Sequence, residues 1–363
     1  MLSNSRCPGA GFTLPAAVAT TEAVSQTGVV IDPRYQEHDT GDGHPERPER
    51  IAVLLPTLRA AVARYPEIPP RAASPDEIGW VHDGAHIERV AATQRLQHFA
   101  FDSDTPTSPR SYATACLAAG GVLALLDAIV AGQIENGFAF VRPPGHHAER
   151  DRAMGFCLFN NVAIAAEYLR HRHGMERILI MDWDLHHGNG TQHIFATDPG
   201  VLYVSTHQYP YYPGTGALTE VGRAAGEGFT VNLPFPAGYG DAEYGDAFTR
   251  IVEPIARQFA PEFVLISAGF DAHARDPLGG LQVTEPGFRA MARSLLGVAR
   301  DCAGGRCAAV LEGGYDLAAI HDSSLMVLAE FAGDTAALPA SRPSRAAALL
   351  ERVKSVHSRY WRL

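Results

Sequence analysis

The sequence predicts an α/β protein built on a single open, mostly parallel β-sheet with helices on both faces. Two observations predict this: short apolar runs alternate with helix-length segments, and ionisable residues cluster just after several of those runs. The runs at 28–31, 137–141, 177–181, 201–205, 261–267 and 306–311 read as buried parallel strands. Helices are expected at 113–131, which is rich in Ala and Leu, and at 161–173, 244–259 and 285–302. Strands alternating with helices imply βαβ units with right-handed crossovers. No internal repeat, low-complexity tract or long linker divides the chain, so one domain over 28–363 is expected.

Residues 1–27 are small and polar, with Pro8, Gly9, Gly11 and Pro15, and read as a loosely ordered leader. A secretory signal is the weaker reading, because Pro15 interrupts the mildly apolar 14–19 and Arg6 is the single positive charge before it. No apolar run is judged to approach the ~20 residues that cross a bilayer, so no transmembrane helix is expected. Hydrophobic residues make up 46% of the 363 and charged residues 19%, the balance of a globular protein with a sizeable core. The 5 cysteines are odd in number and contain no C-x-x-C pair, which argues against a disulfide framework or thiolate zinc site and suits a reducing cytoplasm. A net charge of −10 disfavours nucleic acid and would attract cationic substrates, although acidity also simply aids solubility.

Four of the strands run directly into unusual polar residues. The run at 137–141 leads to Arg142-Pro143-Pro144-Gly145-His146-His147, and 177–181 leads to Asp182-Trp183-Asp184-Leu185-His186 with Asn189 beyond. The run at 261–267 leads to Asp271, and 306–311 leads to Glu312-Gly313-Gly314-Tyr315. Ligands bind at the carboxyl edge of open α/β sheets, so these four ends are expected to form one site. If strand geometry persists past Asp182, period 2 places Asp182, Asp184 and His186 on one side of the chain. Asp184, His186 and Asp271 then offer three N and O ligands with an open position, the pattern of a catalytic zinc site. Iron(II) or another divalent ion fits the same ligands. Helix capping by Asp184 and His186 is the competing reading, weakened by Asp271 standing at a second strand end.

Proline and glycine before His146 and His147 permit a sharp turn that aims both rings into one space. One histidine can take a proton from the attacking water and pass it to a leaving group, while a second stays protonated and stabilises developing charge. Asp182 and Asn189 are the candidate partners that set their tautomers. Tyr315 can hydrogen-bond a carbonyl oxygen, and Gly313 and Gly314 allow close backbone approach.

Together these residues resemble the arginase-like histone deacetylase superfamily. The likeness is closest to class II histone deacetylases and their bacterial relatives; acetylpolyamine amidohydrolases belong to the same superfamily. Matching stretches include His44-Pro45-Glu46-Arg47-Pro48-Glu49-Arg50, 142–148, Gly155-Phe156-Cys157, 182–192, 213–216, 269–284 and 311–317. The resemblance implies zinc at Asp184, His186 and Asp271, with His147 as general base and acid and His146 as its electrostatic partner beside Asp182. It implies Asn189 as the partner of the second histidine, and Tyr315 as the catalytic tyrosine. Phe156 and Tyr212 resemble the aromatic pair walling an acyl-lysine tunnel, with Gly155 and Gly314 beside it and Arg50 at an inner pocket. A potassium ion is implied near Asp182, Asp184, His186 and Ser205. Polyamine-selective relatives carry a glutamate where this chain has Leu278, so the resemblance tilts toward acetyl-lysine in peptides or proteins.

The expected reaction is zinc-assisted hydrolysis of an acylated amine, with no nucleic-acid or membrane partner and a homo-oligomeric assembly. Three rivals are an arginase-type enzyme with two manganese ions, a polyamine or other small-molecule deacylase, and a non-enzymatic acyl-lysine binder. The stretch 102–110 is a candidate rim loop.

Overall fold

A computed structural model describes residues 27–339 and 342–363, so the expected leader lies outside the described residues except for Thr27. Its centre is a sheet of seven strands: β1 (Thr27–Ile31), β4 (Asn136–Phe140), β5 (Ile178–Asp182), β6 (Val201–Gln208), β7 (Thr230–Phe235), β8 (Phe263–Ala268) and β9 (Cys307–Leu311). A separate antiparallel ribbon pairs β2 (Phe99–Ala100) with β3 (Pro106–Thr107). The sheet order is β1-β4-β9-β8-β5-β6-β7, and every pairing is parallel. Every residue of β1, β4, β5, β6, β8 and β9 is buried, which requires cover on both faces.

That cover comes from helices. Ser111–Val130 and Asn161–His173 pack on each other and on the sheet, as do Glu285–Cys302 and Leu317–Phe331. The sequence-expected strands fall within a residue or two of the observed ones, except that β6 continues to Gln208. β7 was not expected at all. Its Pro234 argues against a central strand, but an edge strand tolerates a missing N–H donor, and β7 is the sheet's edge. The helix expected at 244–259 begins earlier, at Asp241, and passes through a π-turn at Phe248–Val252. Pro254 lacks the N–H that would bond back to residue 250, so the ladder widens just before it.

The expectation that no run is long and apolar enough to span a bilayer needs correction. Ser111–Val130 has 20 residues and contains an 18-residue window of mean hydropathy 2.0, which meets the length and composition for a span. In this fold 78% of that window is buried, and the helix packs on the sheet and a neighbouring helix. It is apolar all round because it is a core helix.

The topology positions the site. β4, β9, β8 and β5 are scattered along the chain yet lie side by side in the sheet. Their registers, Asp182 opposite Ser267 and Ala268 opposite Leu311, bring their C-terminal ends level. Four loops from four separate chain segments therefore open onto one edge.

Candidate active site

Strand geometry ends at Asp182 and does not continue to His186 as the sequence pattern suggested. The chain instead bends through two side-chain-to-backbone turns. The Asp182 Oδ1 accepts from the Asp184 N–H at 3.1 Å, and the Asp184 Oδ1 accepts from the His186 N–H at 2.8 Å. These bends still bring Asp184, His186 and Asp271 together, with one ligand atom from each lying within 4.8 Å of the others. His186 Nδ1 is 3.0 Å from Asp271 Oδ2 and 3.3 Å from Asp184 Oδ1.

Backbone donors aim both carboxylates. Asp184 Oδ2 accepts from the Gly313 N–H at 2.8 Å, and Asp271 Oδ1 accepts from the Leu185 N–H at 2.8 Å. Each acid thus keeps one oxygen turned toward the imidazole. The electrostatics fit a divalent cation there. Burial, and then the charge of Asp184, push Asp271 up to about 7. His186 is raised to about 10, because hydrogen bonds and charge from Asp184 and Asp271 outweigh the opposing effect of burial. A proton on His186 Nδ1 lies between the two carboxylates, and a metal ion would take the same three donors with more charge. Among the described residues this is the one cluster of this kind found.

The two histidines of the β4 loop lie beside this cluster, their ring centroids 4.0 Å apart. His146 Nδ1 is 3.1 Å from Asp182 Oδ2, which also accepts from the Tyr203 hydroxyl at 3.0 Å. Burial alone would lower His146, but the Asp184 and Asp182 carboxylates overcome it and hold the ring at about 10. His147 Nδ1 is 2.7 Å from Asn189 Oδ1. Burial, with the neighbouring His146 and His186, pushes His147 well below the usual imidazole range. Two adjacent histidines are thus driven to opposite protonation states, the arrangement that separates a base from a cation.

The turn that carries them is pinned from β9. Glu312 Oε2 accepts from the N–H groups of Gly145 at 2.6 Å and His146 at 3.1 Å, and burial raises its carboxyl to about 7. Gly155, at φ +56, runs against the His147 ring, where an added Cβ would lie 2.5 Å from the ring.

Tyr315 follows Gly314, whose φ of +118 only glycine adopts readily. The Tyr315 hydroxyl is raised well above its usual range by burial and by the Asp271 carboxylate. Its loop is tied down by Asp276, whose Oδ2 accepts from the N–H groups of Tyr315 at 2.7 Å and Asp316 at 3.2 Å. Arg50 is fully buried; it donates to the carbonyls of Gly314 and Glu312 and pairs with Glu46 at 3.0 Å. It therefore braces the tyrosine loop from behind, and its guanidinium lies 5.2 Å from the Tyr315 ring centroid.

The Phe156 ring sits edge-on to Tyr315 and to His44, with centroids 5.8 and 4.8 Å away. The ring of Tyr212 lies 5.2 Å from His147 and 6.0 Å from His186. Tyr212 and Tyr211 are among the exposed large hydrophobic side chains, at 38% and 41%. Tyr211 stacks on His186 at 5.8 Å and donates to the Leu278 carbonyl at 3.0 Å. Leu278 is half-buried, and its N–H bonds to Asp276 Oδ1 at 2.9 Å. The 102–110 stretch does reach this mouth: Thr105 accepts from the Phe156 N–H, and the Asp104 carbonyl meets His44. Ser205 pairs with Asp182 across β5 and β6.

Glu312 stands among the polar strand ends, and His44, Glu46 and Asp276 lie in the matching stretches, but sequence reading gives none of them a role and does not single out Glu149 or Tyr211. The strand-end position of Glu312, directly after β9 as Asp182 ends β5, places it at the site but does not show what it holds.

A profile of the histone deacetylase domain matches residues 44–331. The chain is 43% identical to histone deacetylase 15 of Arabidopsis thaliana over 326 residues, covering 87% of this chain and 58% of that protein. It is 40% identical to a probable deacetylase of Archaeoglobus fulgidus over 356 residues, covering 93% and 99%. It is also 44% identical to the human polyamine deacetylase HDAC10 over 305 residues, covering 80% and 45%. The chain therefore spans only about half the length of the plant and human relatives, and nearly all of the archaeal one. The crystal structure of the HDA15 HD domain superposes with a TM-score of 0.87 at 41% identity, covering 93% of this chain and 96% of the other. With most of its length inside the matched domain and the same architecture at high identity, the chain belongs to the histone deacetylase family.

Proposed function

We propose that this protein is a zinc-dependent amide hydrolase that removes acetyl groups from the ε-amine of lysine in peptides or proteins. The observation that carries the proposal is the pairing of two buried histidines, driven to opposite protonation states, with an Asp-His-Asp metal triad at one sheet edge. Zinc bound there would supply Lewis-acid activation of water and of the acyl carbonyl.

The chain's own residues do the rest. His147, neutral and anchored through Nδ1, offers Nε2 to the proton of the attacking water. His146, charged and held by Asp182, faces the negative charge that develops as water adds to the carbonyl carbon. The Tyr315 hydroxyl donates to the carbonyl oxygen, on a loop that Asp276 and Arg50 hold in place. The proton taken by His147 returns to the amine as the C–N bond breaks, leaving acetate and a free amine. Phe156 and Tyr212 supply apolar walls for the acyl-lysine stem. A potassium ion near Asp182, Asp184, His186 and Ser205 belongs to the same proposal, as does a cytoplasmic setting, which the free cysteines 116, 157, 302 and 307 suit.

A polyamine substrate is the second reading, favoured by the human relative's name; Leu278 at the mouth argues against it, having no charge to meet an internal ammonium. Turnover of a fluorogenic acetyl-lysine peptide, beside acetylated polyamines and with zinc-loaded and chelated protein, separates them. Zinc-dependent cleavage of the peptide is expected. Cleavage of polyamines alone would keep the chemistry and reverse the substrate, and silence on both would reject the enzyme reading.

A further inference from the structure

A hydrogen-bond chain runs from the proposed base to the protein surface, beyond the partner already described. Asn189 Nδ2 donates to Glu149 Oε1 at 2.6 Å, and the same oxygen accepts from His193 Nδ1 at 2.8 Å. Glu149 is nearly buried, whereas the His193 side chain is 47% exposed. The backbone of Glu149 is itself held, because its carbonyl accepts from His82 Nδ1 at 2.9 Å. The other contacts of Asn189 Nδ2 are a long bond to the His147 carbonyl at 3.4 Å and one to the Met154 sulfur, a poor acceptor, at 3.4 Å.

The donor and acceptor roles along this chain are forced, and they are forced from the outside inward. An ionised carboxylate only accepts, so Asn189 must present its NH2 to Glu149. Its carbonyl oxygen must then face His147. An amide oxygen also only accepts, so His147 Nδ1 must carry the hydrogen and Nε2 the lone pair. Were Asn189 to flip, its NH2 would face Nδ1, the hydrogen would move to Nε2, and the base would have no lone pair to offer toward the metal triad. Asparagine is symmetric enough in shape to flip, and only its partners decide which way it points.

We propose that Glu149 is a positioning residue that selects the reactive tautomer of His147 through the amide of Asn189, with His193 as its outward hydrogen-bond partner. The role rests on the amide-hydrolase reading for its consequence, but not for its geometry. It explains how an asparagine can serve beside the base, since a neutral amide needs an orienting group that a carboxylate at that position would not.

The test has a spectroscopic and a kinetic arm, both on zinc-loaded full-length protein. With ring-15N histidine, the His147 signals should report a protonated Nδ1 and an unprotonated Nε2 in the wild type. Glu149→Met should shift that pattern toward the opposite tautomer and lower kcat on an acetyl-lysine peptide by about tenfold, with KM nearly unchanged. The decisive comparison is the sign of Glu149→Gln in two backgrounds. Alone it should lower kcat modestly; in Asn189→Asp, where two carboxylates would face each other, it should raise kcat by about fivefold or more by donating to Asp at 189. Equal effects in both backgrounds, or a His147 pattern unchanged in Glu149→Met, would overturn the proposal. If Glu149→Met does not fold, the Asn189→Asp pair decides alone. A wild type without amidase activity but with the expected 15N pattern would reject the functional reading and leave the tautomer assignment standing.

Discussion

The floor and the mouth of this site are built in different ways. On the floor, Asp184, His186 and Asp271 are nearly or wholly buried, and each carboxylate is aimed by a backbone N–H from a neighbouring strand end. At the mouth, Tyr211 and Tyr212 are more than a third exposed, and half-buried Leu278 is held through its backbone. The floor is fixed by the sheet and leaves little room for change. The mouth hangs on loops, where changes cost little stability and alter which substrate fits. On the proposed function, chemistry would lie with the floor and specificity with the mouth, and substitutions at the two should have effects of very different size and kind.

The largest effect is expected on the floor. Asp271→Ala removes one of the three proposed zinc ligands and leaves the Leu185 N–H without its acceptor. Zinc content by elemental analysis should fall from about one ion to near zero, and kcat/KM by on the order of 10³ or more. Stoichiometric zinc in that variant would mean that the triad is not the metal site. Next comes Tyr315→Phe, which keeps the ring against Phe156 and Arg50 and deletes only the hydroxyl. The expectation is a fall in kcat of about 10²-fold with KM little changed, because the lost hydrogen bond strengthens only as charge develops. A raised KM at full kcat would instead place the hydroxyl in ground-state binding.

The same division explains what the sequence revealed. The floor was legible because its residues stand directly after apolar runs, and the strand pairing that gathers them follows from burying those runs. The exact course of the metal segment was not legible. A two-residue period suggested an extended chain past Asp182, whereas side-chain turns at Asp182 and Asp184 bend it at once. The braces were also hidden. Glu312 reaches Gly145 across 167 positions, and Arg50 reaches Gly314 across 264. In sequence, Glu312 could be placed at a strand end and Arg50 assigned to an inner pocket by resemblance, but which backbone groups they hold is seen only in the fold. Likewise Pro234 concealed β7, because its tolerance depends on the strand lying at an edge, which is a property of the whole sheet.

The smallest expected effect is at the mouth, and it tests the separation most directly. Leu278→Glu places a carboxylate beside Tyr211 at the entrance while leaving the backbone bonds to Asp276 and Tyr211 in place. Because the position is half-exposed, an ammonium meeting that carboxylate gains no more than about 1 kcal/mol, roughly a fivefold change. The ratio of kcat/KM for an acetylated polyamine over an acetyl-lysine peptide should rise by about that factor, and the gain should shrink in high salt. The activity lost on the peptide should appear in KM, since the floor is untouched. Yet the Leu278 loop also shares Asp276 with Tyr315: one carboxylate holds the rim through Oδ1 and the tyrosine loop through Oδ2. If Leu278→Glu lowers kcat on both substrates alike, strain has travelled through Asp276, and the mouth and floor are one mechanical unit. If only the ratio moves, Asp276 isolates them, and specificity can change at this rim without touching the chemistry.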